Sequence, residues 1–260
     1  MKIMNKIDFS KYVDHIFCVH YLPNNRLENI SKQFDYIGID IHNNNLFSFE
    51  YGIENQLFVD QIKDYCNKYN KPFKGAFNYQ RYMFEVGLNI YHVLKIAQYK
   101  KYKRIIIFED DIKFLKDLDY IKNALDYIFE QDFDYVHCDP NYARMYRGIE
   151  DYLLSNDLIY GLDNPYFYKF KYAYKQTCIY DAGFMILSLN AIDLIISLFE
   201  KSQITTGLDM IYNPIWVNDI TNLKIFGAIK PLAIQDKIIN KDKDYLNSIN
   251  VHLNIDDYNI

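Results

Sequence analysis

Cysteine is scarce in this chain: four in 260 residues, with no Cys-x-x-Cys pair, which excludes a disulfide framework and zinc-ribbon spacing. Glycine (9) and proline (6) are also low, which excludes collagen-like and Gly/Pro-rich disordered classes. There is no basic excess. Lys and Arg number 29 against 34 Asp and Glu, for a net charge of -5, so a duplex-binding protein is not indicated and no nucleic-acid partner is expected. Long apolar runs are absent as well. Stretches such as Ile105 to Phe108 and Gly183 to Leu187 fall far short of the roughly 20 residues that cross a bilayer. The N-terminus becomes charged again before any apolar run of signal-peptide length. These absences predict a cytoplasmic, reduced protein that meets a membrane only from the side.

Aromatic residues are plentiful: 26 Tyr and 18 Phe, with one Trp, bring their share to 17%. An AT-rich coding sequence favours Tyr and Phe together with Lys, Asn and Ile. A sugar- or membrane-facing surface gives the same excess, since a tyrosine offers an apolar face and a polar tip. Composition does not separate the two.

The first half alternates predicted strands and helices. Ile16 to Tyr21 is an apolar run ending in the turn signal Leu-Pro-Asn-Asn, and a helix follows from about Arg26 to Phe34. Tyr36 to Ile41 is expected as a second strand and Phe58 to Tyr69 as a helix. Phe84 to Tyr99 carries an apolar stripe of Ile90, Val93, Leu94 and Ile96. Arg104 to Phe108 is a β-branched run of the kind buried on both faces of a sheet. Leu118 to Phe129 reads as helix and Tyr135 to Cys138 as strand, so an α/β domain with a mostly parallel sheet is expected. Later, Pro165 to Lys175 alternates Tyr166, Tyr168, Phe170, Tyr172 and Tyr174 with lysines, the period of a strand with one aromatic and one basic face. Gly183 to Leu189 reads as strand; Ala191 to Phe199 and Met210 to Trp216 read as helices. From Lys237 the chain is polar and Asn-rich.

The loudest chemical signal is Glu109-Asp110-Asp111 at the end of the buried run. Three adjacent carboxylates repel one another, and the C-terminal end of a parallel strand is where α/β sheets bind ligands. A hard divalent cation would neutralise them, and Mg²⁺ or Mn²⁺ takes one or two carboxylates plus substrate phosphates. A solvated acidic turn capping the next helix is the alternative. The histidines at 15, 20, 42, 92, 137 and 252 show no metal-ligand spacing. In His137-Cys138-Asp139 the neighbours alternate faces, which argues against a Cys-His dyad.

Upstream of the acids, Glu85, Gly87 and His92 stand in the order Glu-x-Gly-x-x-x-x-His, with Tyr91 where a serine is usual. With Glu109-Asp110-Asp111, this resembles glycosyltransferase family 25, the lipopolysaccharide-type transferases. Asn24-Asn25-Arg26, Gly38-Ile39-Asp40, Ala182-Gly183-Phe184, Leu208-Asp209 and Pro231 to Gln235 resemble further family elements in the same order, over about residues 14 to 236.

The resemblance implies an α/β GT-A type nucleotide-sugar-binding fold, a mixed, mostly parallel sheet flanked by helices. It implies a single catalytic domain over 1-236, with a donor half to about 140, an acceptor half from about 141 and a polar extension over 237-260. The activity implied is metal-dependent, inverting transfer of a hexose, galactose or glucose, from a UDP-sugar to a bacterial surface saccharide such as lipooligosaccharide. Mn²⁺ or Mg²⁺ would be held by Asp111 and Asp110. Arg26, Asp40, Glu85, Gly87, His92 and Asp110 would face the donor, and Gly183 the acceptor. Asp209 is the first choice for the base that inversion requires, Asp181 the second and Asp139 the third. Tyr168 and Tyr172 of the aromatic ribbon would stack on acceptor sugars, or the ribbon packs inside. With Tyr99 to Arg104 as a second basic patch, the ribbon would instead touch anionic lipid. A metal-dependent phosphoesterase and a non-catalytic saccharide-binding module stay open as alternatives.

Overall fold

A computed structural model describes residues 6–20, 26–51, 78–139, 164–169, 183–202 and 223–235. The expected helices at Phe58 to Tyr69 and Met210 to Trp216, and the polar C-terminal stretch, lie outside the described residues. A one-turn 3-10 helix, Phe9–Lys11, leads into β1 (His15–His20), α1 (Arg26–Ile37), β2 (Phe47–Tyr51) and α2 (Asn78–Lys100). Next come β3 (Arg104–Glu109), β4 (Ile112–Phe114), α3 (Leu118–Phe129) and β5 (Tyr135–His137). The remainder is β6 (Phe167–Lys169), β7 (Phe184–Ser188), α4 (Leu189–Ser202), β8 (Ile225–Ala228) and β9 (Ala233–Gln235).

Seven strands form one sheet in the order β2-β1-β3-β7-β5-β8-β6. β1 runs parallel to β2 and β3; β7 runs against β3 and β5, so β5 points the same way as β3. β8 is parallel to β5 and β6 antiparallel to β8. Only β7 and β6 therefore oppose the rest, so the sheet is mixed and mostly parallel, as expected of the α/β domain. A separate antiparallel pair, β4 and β9, lies beyond the acidic turn.

The β-branched run of β3 explains the three layers. Ile105 and Ile107 join a core with Val93, Leu94 and Ala97 of α2 and Ile192 and Ile195 of α4. Ile106 and Phe108 point the other way, into a core with Ile30 and Phe34 of α1 and Ile121 and Leu125 of α3. The strand is buried on both faces, so its side chains need no polar alternation. Helix α3 starts where expected because the Asp117 side chain caps it, accepting the Tyr120 N–H at 2.9 Å.

Two expectations are corrected. Tyr36 to Ile41 is the end of α1 and a loop, not a strand. Gly38 takes φ +102°, and the N–H groups of Gly38 and Ile39 both donate to the Phe34 carbonyl, closing the helix. A Cβ at Gly38 would stand 2.7 Å from the Lys6 Cβ and 2.8 Å from the Ile7 carbonyl, so the segment Lys6-Ile7 packs against a position that only glycine fills. The second strand falls later, at β2. In the aromatic ribbon, Tyr166 and Tyr168 do not share one face. The Asn164 carboxamide accepts from the Tyr166 and Phe167 N–H groups, so the strand begins only at Phe167. Tyr166 packs at a tilt against Tyr120 and Tyr127 of α3, while Tyr168 enters the core between the sheet, α2 and α4.

Candidate active site

Strand β1 connects through α1 to β2 on one side of it, and β3 connects through β4 and α3 to β5 on the other. The chain thus diverges at the carboxyl ends of β1 and β3, the place where open α/β sheets bind ligands. Three elements bring polar side chains to that point. His20 is the last residue of β1, Arg26 the first of α1, and Glu109-Asp110-Asp111 follows β3. His20 Nδ1 donates to Asp110 Oδ2 at 2.6 Å, and Arg26 Nη1 donates to Asp110 Oδ1 at 2.8 Å. The same guanidinium nitrogen lies 3.7 Å from Asp111 Oδ2. Asp110 is 0% exposed and Asp111 2%.

This burial removes the reading of a solvated acidic turn, and the cap of the next helix is Asp117 instead. Carboxylates taken out of water need compensating partners, and Arg26 and His20 provide them from a different element. His20 is the residue that sequence reasoning passed over. Its signal was its place at the end of an apolar strand leading into a turn, but its partner is 90 positions away, and a histidine in such a strand reads as core.

Two strands along the same edge, a second group forms. The Glu109 N–H donates to the Gly183 carbonyl at 2.9 Å, and the Gly183 N–H donates to Asp139 Oδ2 at 2.8 Å. A Cβ at Gly183 would lie 2.7 Å from both Asp139 Oδ2 and Ile112 Cγ2, so the close approach requires glycine. Asp139 Oδ1 stands 3.5 Å from His137 Nε2, and both side chains are buried. The thiols of Cys18 and Cys138 are fully buried. Burial pushes Cys18 well up, with added repulsion from Asp110, Asp111 and Glu109; burial and Asp139 do the same to Cys138. Cys138 packs with α1 and α3, while the His137 ring lies beside Tyr135 in the opposite core, so there is no Cys-His dyad.

The remaining expected residues scatter. Asp40 is exposed in the loop after α1, where its Oδ1 accepts the His42 N–H at 2.9 Å. On α2, Gly87 is buried and His92 is exposed, and Glu85 belongs to the same helix. Tyr168 is 3% exposed and packs in the core, so its ring is not offered to an acceptor sugar. Asp181, Asp209 and Tyr172 lie outside the described residues. Within the basic patch, Tyr99 is 83% exposed and Lys100, Lys101 and Lys103 are exposed, but Arg104 turns inward over the rings of Phe129 and Phe133.

Among the described residues, no group of three or more His, Cys, Asp or Glu side chains forms a ready-made metal cage. Each oxygen of Asp110 already accepts a bond, from His20 and from Arg26. Asp111 therefore suits a divalent ion better than Asp110. One carboxylate plus substrate phosphates is a donor set that Mg²⁺ commonly accepts, so the residues fit an ion that arrives with a diphosphate.

No family model matches the sequence, and no curated protein does. Solved structures with a similar backbone include mannose-1-phosphate geranyltransferase from Thermus thermophilus, at 8% identity and TM-score 0.39, over 82% of this chain and 73% of that one. Mouse xyloside xylosyltransferase 1 matches at 13% identity and TM-score 0.36, over 80% and 82%. The inositol-1-phosphate CTP transferase from T. maritima matches at 13% identity and TM-score 0.39, over 90% and 95%. These proteins are transferases, but at these scores the likeness is to the general run of the backbone and transfers no activity.

Proposed function

We propose that this protein is a metal-dependent, inverting glycosyltransferase, similar to family 25, that moves a hexose from a UDP-sugar to a saccharide acceptor such as bacterial lipooligosaccharide. The observation that carries the reading is the buried Asp110-Asp111 pair at the divergence of β1 and β3, gripped by His20 and Arg26. Burying two adjacent acids gives no advantage to a surface turn; it suits a site whose ligand brings further positive charge. His20 and Arg26 fix the carboxylate of Asp110 in orientation, and Arg26 is placed to meet a phosphate. A divalent ion held by Asp111 would supply Lewis-acid neutralisation of the leaving diphosphate. Asp209 and Asp181 remain the proposed bases, with Asp139 at the same sheet edge as the acidic turn. The acceptor half, about 141-236, and Tyr172 belong to the same proposal.

The competing readings lose ground on specific residues. A two-metal phosphoesterase needs more ligands than one acid turn. A saccharide-binding module built on the aromatic ribbon needs exposed rings, and of its described members Tyr168 is buried and Tyr166 packs against α3. Among the described residues no helix is long and apolar enough to cross a membrane. The exposed lysines after α2 sit at the amino end of β3, whereas the acids follow its carboxyl end. A bilayer touching those lysines would stand roughly a strand length, about 20 Å, from the acidic turn.

Calorimetric titration with UDP, first with Mn²⁺ and then with EDTA, tests the reading on the wild type and on Asp111→Ala. Metal-dependent binding that disappears in the variant is expected. Binding indifferent to both metal and substitution overturns the role of the acidic turn, and no binding of UDP at all overturns the choice of nucleotide.

A further inference from the structure

Along the carboxyl edge, the groups with chemistry follow one line: His20 and Arg26 beside β1, the acids after β3, Gly183 before β7, then His137 and Asp139 at β5. If a diphosphate sits at the acids with its nucleoside on one side, the transferred sugar extends along this edge. Adjacent strands are about 4.8 Å apart, so β5 lies roughly 10 Å beyond β3. That separation matches the step from a diphosphate to the ring hydroxyls of the hexose it carries.

His137 and Asp139 have unused polar capacity at that place. Asp139 Oδ2 is committed to the Gly183 N–H. Its other oxygen, Oδ1, and His137 Nε2 are both buried, neither makes a hydrogen bond among the described residues, and they face each other at 3.5 Å. A carboxylate oxygen can only accept, and an imidazole N–H donates. A hydroxyl satisfies both together, giving its proton to Asp139 and receiving one from His137.

We propose that His137 Nε2 and Asp139 Oδ1 form the subsite that binds a ring hydroxyl of the donor hexose, an assignment that rests on the nucleotide-sugar reading above. They are binding residues for the sugar and play no part in holding the nucleotide. Gly183, expected from the sequence as an acceptor contact, also orients Asp139 through its N–H.

Affinities for UDP, UDP-glucose, UDP-galactose and UDP-hexoses lacking one ring hydroxyl at a time test this by calorimetry on the wild type, His137→Gln and His137→Phe. The wild type is expected to bind one UDP-hexose about tenfold more tightly than UDP, and to lose that advantage with one deoxy analogue. His137→Phe should bind UDP as the wild type does, lose the same advantage, and show no further loss with that analogue, while His137→Gln retains part of it. Binding of UDP reports that each variant is folded. A wild type that ranks every deoxy analogue with its parent overturns the subsite on its own, whatever the variants do. A His137→Phe protein that keeps full preference for the sugar, or loses transfer while keeping that preference, overturns it too, the latter by moving the pair to the acceptor. A wild type that binds neither UDP nor UDP-hexose overturns the nucleotide reading first and the subsite with it.

Discussion

The two edges of the central sheet use carboxylates in opposite ways. At the amino edge, acids splice strand starts together. Asp14 Oδ2 accepts the N–H groups of Lys103 and Arg104 at 2.6 and 3.0 Å, joining β1 to β3. Asp134 accepts from the Ser188 hydroxyl, the Asn190 side chain and the Lys224 N–H, joining β5, β7 and β8. At the carboxyl edge, Asp110 is held by the side chains of His20 and Arg26, and Asp139 gives one of its oxygens to a backbone N–H. Backbone partners are part of the fold and cannot leave. Side-chain partners can turn toward a ligand. The contrast shows how the same residue type bonds the backbone as a structural bolt at one end of a strand and takes side-chain partners at the other, where the proposed function puts the ligand.

The comparison breaks most visibly at Asp134. Asp134→Ala is expected to lower stability by about 3 kcal/mol in urea unfolding, because several donors lose a charged acceptor at once. UDP affinity of the folded fraction should stay unchanged. His20→Gln is expected to do the reverse: on the order of 10–100-fold less transfer, as for a residue that orients another's carboxylate, with little change in the unfolding midpoint. A large loss of stability instead would make His20 a bolt like Asp134 and erase the contrast.

Smaller effects sharpen the picture. Burial raises the thiols of Cys18 and Cys138 well above 9.0, so iodoacetamide at a pH near 9 should label them only after denaturation, read by peptide mass spectrometry. Since the unfolded chain ionises these thiols first, the stability they contribute is complete below the ordinary thiol range and is lost as pH rises past it. The smallest change is at the amino edge. Lys101 holds φ 59° at the end of α2, where its N–H and that of Tyr102 return to the Gln98 and Ala97 carbonyls. Lys101→Gly should raise stability by about 1 kcal/mol in thermal or urea unfolding, leaving UDP binding untouched.

Much of this architecture is legible in residue patterns, and the failures have physical causes. Leu118–Phe129 is readable as a helix to its last residue because a capping aspartate and a strong apolar stripe agree. Three isoleucines and a phenylalanine before three acids announce β3 and its turn. Tyr36 to Ile41 misleads because an apolar run across a helix end resembles a strand, and the left-handed turn at Gly38 is invisible to periodicity. β8, four residues long, offers too short a pattern to stand apart from a buried helix segment. At the site, the acids are conspicuous because adjacent like charges demand a reason, whereas His20 and the facing pair of His137 and Asp139 depend on which strands become neighbours. Tyr168 misleads in the other direction: strict alternation suggests an open aromatic face, but the sheet and two helices close over it.

Gly183 touches both groups of acids, the Glu109 turn through its carbonyl and Asp139 through its N–H. The first methyl group added there would meet either that carboxylate or the Ile112 side chain. Any larger residue at position 183 forces one or both of these side chains to move. A side chain at this one position would therefore disturb the acid turn and Asp139 in the same step.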